Sequence, residues 1–258
     1  MTRRIERRQQ LRRGLILATM LLFPLIYYYL SPYLIVDASA RGIVNGSFIL
    51  FALLLVSGLV VGRGWCGWVC PGAGLQEACF AVQNKPARTG RLDWIKWGIW
   101  IVWIGVIATL AFFAGGYHTV DPVYPNGTWV SIVEPAGFIV YYGVVGTIML
   151  LALVFGRRAF CHYGCWMAPF LISGRAVRNR LHLPALHLQA APARCVGCNI
   201  CTRNCPMSLD VMQMTKSGAM EHPECILCGT CVDTCPKDAI AYSFSTNLVS
   251  KRSGGSSQ

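Results

Sequence analysis

Charge is scarce in this 258-residue chain: 13% of it is Asp, Glu, Lys or Arg, against about 25% in an ordinary soluble domain. With 54% hydrophobic residues and a mean hydropathy of +0.47, that shortage excludes a wholly water-solvated globule and places much of the chain in lipid. Acidic residues are scarcer still, 11 against 23 Lys and Arg, for a net charge of +12. The excess does not indicate nucleic acid, because no basic face with a reading motif accompanies it. The Rossmann fingerprint, the P-loop and a Ser-His-Asp arrangement are all missing. Basic residues are also missing from 117–134, whose charges are Asp121 and Glu134 alone.

Four apolar stretches, about 14–35, 46–62, 94–116 and 135–156, are long enough or nearly so to cross a bilayer at ~1.5 Å per residue. Lys and Arg set the orientation. Six arginines precede the first stretch, five basic residues lie between the second and third, and 22 of the 23 fall on one side of the membrane, Arg41 being the exception. Both termini are therefore expected in the cytoplasm, with the chain in the inner membrane. Ala38-Ser39-Ala40 looks like a signal-peptidase site, but the apolar region from Gly14 to Val36 exceeds the roughly 7–15 residues of a signal peptide. The first span is expected to be retained.

Cysteine is abundant, at 13 residues, and its spacing is specific. Cys195-x2-Cys198-x2-Cys201-x3-Cys205-Pro206 and Cys225-x2-Cys228-x2-Cys231-x3-Cys235-Pro236 both follow the run of bacterial two-cluster ferredoxins, in which the fourth Cys ligates the other cluster. One [4Fe–4S] cluster is expected on Cys195, Cys198, Cys201 and Cys235, and the second on Cys225, Cys228, Cys231 and Cys205. Zinc shares the Cys-x2-Cys element but has no use for the full run twice. Eight cysteines with cluster spacing point to a reducing compartment rather than to disulfides. The surrounding segment 190–245 is near neutral, with Arg194, Arg203, Lys216 and Lys237 against Asp210, Glu221, Glu224, Asp233 and Asp238. It is too small to depend on an apolar core alone, so its clusters are expected to be part of its fold.

The ends of the second and fourth stretches repeat one another. Gly62-Arg63-Gly64-Trp65-Cys66-Gly67-Trp68-Val69-Cys70-Pro71 is matched by Gly156-Arg157-Arg158-Ala159-Phe160-Cys161-His162-Tyr163-Gly164-Cys165. On a helix, each Cys-x3-Cys would place its sulfurs on one face at i and i+4. Two such faces could present Cys66, Cys70, Cys161 and Cys165 to a third iron–sulfur or metal site, or form redox-active thiol pairs. The alternative is that small buried cysteines pack a helix end.

Four spans, a Cys-x3-Cys-Pro motif, a second Cys-x3-Cys copy and a C-terminal two-cluster ferredoxin together resemble the NapH/MauN-type membrane ferredoxins over about residues 10–245. Cys165 departs from that pattern, being followed by Trp166 with Pro only at 169. The resemblance implies a membrane α-helical protein with an internal two-fold repeat and a C-terminal ferredoxin domain. It further implies a quinol-oxidising electron-transfer subunit with redox protein partners such as a reductase, a cytochrome or another iron–sulfur subunit. An assembly factor that donates electrons during metalloenzyme maturation and a membrane redox sensor are the alternatives. The expected division is a basic arm (1–13), a four-span domain (14–165), an amphipathic linker (166–189), the ferredoxin domain (190–245) and a disordered tail (246–258).

Smaller features were weighed on the same basis. His118, Asp121 and Glu134 lie on the outer side and form a candidate quinone and proton site, since His beside a carboxylate can accept protons as electrons leave; a plain polar loop is the blander alternative. His162 is expected to be hydrogen-bonded locally at a helix end. Trp94, Trp97, Trp100 and Trp103 are expected to anchor and pack the third span. Arg157 and Arg158 are expected to be cytoplasmic anchors near lipid headgroups.

Overall fold

The computed structural model describes residues 2–88, 90–133 and 135–246. Apart from Thr246, the tail expected to be disordered lies outside the described residues, as does Glu134. The basic arm is continuous with the first apolar stretch in α1 (Thr2–Leu21), followed by α2 (Phe23–Ile26) and a 3-10 turn to Leu30. The chain bends by 63° at this junction. Pro24 explains the bend: it has no N–H to donate, and its ring crowds the carbonyl four residues back. Next come α3 (Pro32–Ala40), β1 (Ile43–Asn45) and α4 (Gly46–Val61), whose start is capped by the Asn45 side chain accepting from Phe48 N at 2.9 Å.

Two short helices, α5 (Gly64–Trp68) and α6 (Pro71–Ala78), lead to the long α7 (Ile95–Phe113). Then follow β2 (Thr119–Asp121), α8 (Pro135–Phe155), α9 (Ala159–Tyr163) and α10 (Ala168–Leu181). β1 and β2 pair in parallel, tying the segments 43–45 and 119–121 together.

Two helices, Arg91–Phe113 and Gly137–Phe155, are long and apolar enough to cross a membrane, and the bent pair Arg7–Leu21 plus Phe23–Leu30 makes a third if it is one span. The second expected span falls short. α4 has 16 residues, against about 20 needed for a bilayer, because Gly62 at φ 53 turns the chain out of the helix.

The segment 166–189 is not the surface linker its composition announces. Its helix α10 lies directly on α4, with Gly58 against Gly174: a Cβ on Gly174 would sit 2.2 Å from Leu55 O, and one on Gly58 would sit 2.8 Å from Leu171 O. Two glycines bring the backbones together, and Leu171 at the crossing is fully buried. After α10, β3 (Ala185–Ala190) pairs antiparallel with β4 (Ile240–Ser245), in register from Ala185↔Ser245 to Ala190↔Ile240. The ferredoxin fold therefore begins near 185, earlier than the expected 190. Between these strands lie α11 (Ile200–Arg203), α12 (Val211–Ser217) and α13 (Thr230–Asp233). One core of buried residues runs from Phe51 and Leu54 through Leu171 and Ile226 to Met207 and Ile240, joining the helical and ferredoxin parts.

Candidate functional site

The two cysteine runs adopt the same backbone. Gly197 and Leu227, Asn199 and Gly229, and Ser208 and Asp238 all have φ between 48 and 76, each pair 30 positions apart. Left-handed residues at these points let the chain curl its sulfurs inward. Cys195, Cys198, Cys201 and Cys235 line one small cavity of about 20 Å³, so three thiols of the first run meet the last of the second. Ala239 N donates to Cys235 Sγ at 3.3 Å. Cys205 in turn joins the second run. Burial, and then Cys228, push its thiol up to about 12. Burial followed by Cys228, Cys225 and Cys205 holds Cys231 well above its ordinary value. Such thiols resist ionising as bare groups, and a bound iron cluster would supply the positive charge that makes their thiolates stable.

The cysteines of the membrane repeat also converge. Their helices are short: α5 and α9 have five residues and end before the second cysteine. Instead of sharing a helix face, Cys70 and Cys165 close matching wide turns, with Cys70 N donating to Trp65 O at 3.2 Å and Cys165 N to Phe160 O at 2.9 Å. All four thiols are buried. Cys70, Cys161 and Cys165 line a cavity of about 30 Å³, and Cys66 is close enough to raise Cys70 further beyond the effect of burial. Gln76, fully buried, donates from Nε2 to Cys161 Sγ at 3.1 Å while its oxygen accepts from Phe160 N at 3.0 Å. Among the described residues, no group of three or more His, Cys, Asp or Glu side chains is arranged to hold a single metal ion.

Two arginines are part of this site, one of them Arg158, expected to be an anchor near lipid headgroups. Arg63 and Arg158 each stand three residues before the first Cys of a repeat, and both are fully buried. Arg158 donates to Cys66 O at 2.7 Å and pairs with Glu77, which also takes Arg12 at 2.9 Å. Arg63 pairs with Glu224, which also takes Lys96 at 2.5 Å. Among the described residues, Nε and Nη2 of Arg63 and Nε of Arg158 have no hydrogen-bond partner. Unpaired guanidinium donors in a dry interior are costly. Buried near Cys66 and Cys161, both arginines fit an anionic occupant such as a thiolate-bound cluster. In the sequence their only signal is the matched Arg-x2-Cys-x3-Cys of the two copies.

The ferredoxin part is seated on these repeats. A Cβ on Gly67 would lie 2.2 Å from Ile226 O, so that glycine admits the Ile226–Cys228 backbone. Trp68 Nε1 donates to Leu227 O at 3.0 Å. Glu221 takes Arg175 at 2.5 Å and Arg178 at 2.7 Å, and Asp233 takes Arg8 together with Gln9 at 2.5 Å. Burial alone would push the Glu221 and Glu224 carboxyls up, but the neighbouring cations outweigh it and hold both below the usual range. His162 is fully buried, with Nδ1 at 3.1 Å from Asp93 and Nε2 at 3.1 Å from Met207 O. Trp100 and Trp103 pack edge-on to Phe170, while Trp94 is 72% exposed. His118 immediately precedes β2 and is exposed, while Asp121 ends that strand and accepts from Val123 N at 3.1 Å.

Residues 194–240 match the model of a 4Fe-4S dicluster domain, and segments 44–88 and 137–177 match that of a 4Fe-4S binding domain. The latter two segments coincide with the two repeat copies. The chain is 25% identical to the uncharacterized protein MJ0750 of Methanocaldococcus jannaschii, over 79% of this chain and 82% of that protein. It is 23% identical to the putative electron transport protein YccM of Escherichia coli, over 85% and 62% of the two chains. It is also 27% identical to the nitrogen fixation protein FixG of Rhizobium meliloti, over 80% of this chain but 45% of FixG. No solved structure matches the chain significantly. The chain thus carries 4Fe-4S domains in both its helical and its C-terminal parts.

Proposed function

We propose that this protein is a membrane-held electron relay, exchanging electrons between a quinone pool or a membrane partner and cytoplasmic [4Fe–4S] clusters as one subunit of a larger redox complex. Cys195, Cys198, Cys201 and Cys235 hold the first cluster, and Cys225, Cys228, Cys231 and Cys205 the second. Cys66, Cys70, Cys161 and Cys165 form a third redox site. The observation that supports this best is the Gly67–Ile226 contact. It places the chain segment carrying Cys66 directly on the one carrying Cys228, leaving packed protein rather than water between the two thiol sets. The second cluster then lies between the membrane site and the first cluster in the relay.

A quinol headgroup fits better beside the second cluster than at the outer loop of His118 and Asp121. A cavity of about 940 Å³ opens between Trp94, just before α7, Trp97 of α7 and the ferredoxin part, with Asp93, His222 and Glu224 on its walls. Glu224 adjoins Cys225. Oxidation of a quinol there releases two protons as well as two electrons, and polar walls are what such a step needs.

Anaerobic purification in lipid nanodiscs, with iron counting and EPR before and after quinol addition, tests the proposal. About twelve iron atoms per chain are expected, falling to about eight in Cys66→Ala with the ferredoxin signals kept. Fewer than eight in the wild type, or clusters that quinol leaves oxidised, would sink the reading.

A further inference from the structure

By count, the ferredoxin segment is close to neutral, but its charges are sorted in space. Three of its five acids are turned inward and consumed: Glu221 by Arg175 and Arg178, Glu224 by Arg63 and Lys96, and Asp233 by Arg8. A fourth, Asp210, caps α12 by accepting from Gln213 N at 3.1 Å. The basic residues are left outside. Arg194 and Lys237 line the same cavity as Cys195, Cys198, Cys201 and Cys235, and Lys216 reaches over Gly197, its Nζ 3.2 Å from where a Cβ would stand. All three are exposed, and among the described residues none forms an ion pair with a carboxylate. Between them Val196 is 63% exposed, next to the exposed Cys198. Asp238 is the acid in the same loop, so the face keeps a positive excess.

We propose that this face, a small apolar centre at Val196 rimmed by Arg194, Lys216 and Lys237, is the docking surface for a soluble acidic one-electron carrier protein. A neutral domain would offer no such preference. Here the helical part has taken up the negative charges, and what remains over the outer cysteines attracts an acidic surface and steers its approach. The apolar centre excludes water on contact, while the polar rim keeps the complex short-lived. The exchange is a single electron: one of the pair, the [4Fe–4S] cluster or the carrier, is oxidised as the other is reduced, and no bond or proton moves. This inference rests on the relay reading above.

The test uses the full chain in zwitterionic nanodiscs, with an acidic flavodoxin and a basic cytochrome c as probes. Flavodoxin is expected to bind, to weaken steeply as salt rises from about 0.05 to 0.5 M, and to lose roughly tenfold or more in affinity to R194E/K216E/K237E. Iron content and cluster EPR of that variant should equal wild type. Should the variant lose its clusters, carbodiimide cross-linking of the wild type decides, with links from flavodoxin carboxylates expected at Lys216 and Lys237. Preference for cytochrome c, binding unmoved by charge reversal, links confined to Lys85, or displacement of flavodoxin by anionic lipid vesicles would each overturn the proposal. Binding is read without electron transfer, so a failure of the relay reading would show separately in the iron and EPR data.

Discussion

The run ending at Cys205 and the run ending at Cys235 share their spacing and their three left-handed positions, yet the protein surrounds them differently. The thiols of Cys205, Cys228 and Cys231 are buried, and their segment lies on α5 and its tryptophan. Cys198 is exposed and Cys195 and Cys235 are half-buried, under a rim of unpaired cations. Cluster potentials respond to hydrogen bonds and solvent exposure, so a duplicated sequence becomes two unlike electron carriers through its setting. Identical spacing specifies that clusters bind; the neighbours specify what each is for.

The contrast is most sharply tested at the acids. Glu224→Ala leaves Arg63 and Lys96 buried without compensation, and a loss of about 3–5 kcal/mol is expected from thermal unfolding in nanodiscs, whereas outward Asp238→Asn, which removes the charge but tolerates the left-handed backbone, should change little. Equal effects at the two positions would break the comparison. Gly67→Ala puts a methyl against Ile226 O and should cost ~1–3 kcal/mol. Hydrogen exchange is expected to quicken in 225–231 and not in 195–201.

The smallest effect concerns pH. The Glu221 carboxyl is held below its ordinary 4.5 by Arg175 and Arg178 against the opposing effect of burial. A depressed carboxylate contributes stability above its unfolded value and loses it as pH falls through the folded one. Wild type should therefore exceed Glu221→Gln by ~1–2 kcal/mol at neutral pH, and the gap should shrink below about pH 4.5. A gap that persists at pH 3 would show that Glu221 acts through packing rather than charge.

Much of the site was legible along the chain. The eight ferredoxin cysteines and the repeat at Cys66–Cys70 and Cys161–Cys165 came from spacing and position, whereas His162, expected to bond locally, instead meets Asp93 and Met207 O, 69 and 45 residues away. Arg63, Arg158 and Lys96 were not legible either, because a cation beside an apolar stretch reads as a lipid anchor unless its partner is visible, and Glu224 lies 161 residues from Arg63. The helix at 168–181 was misjudged for a related reason. Its arginines resemble an interfacial face, but Arg175 and Arg178 point to Glu221, and Gly174 serves the crossing with α4.

Spacing alone determined the cluster chemistry and the repeat, since ligands close together in the chain must converge whatever the rest does. Composition singled out apolar stretches, two of which form helices long and apolar enough to cross a membrane. Only the tertiary structure decided which cluster faces inward, that the ferredoxin acids are spent on the helical part, and that a basic face is left over the outer thiols. Those outcomes depend on pairs brought together across 43 to 225 residues of chain. Opposite charges meet in a dry interior only when the whole fold has placed them there.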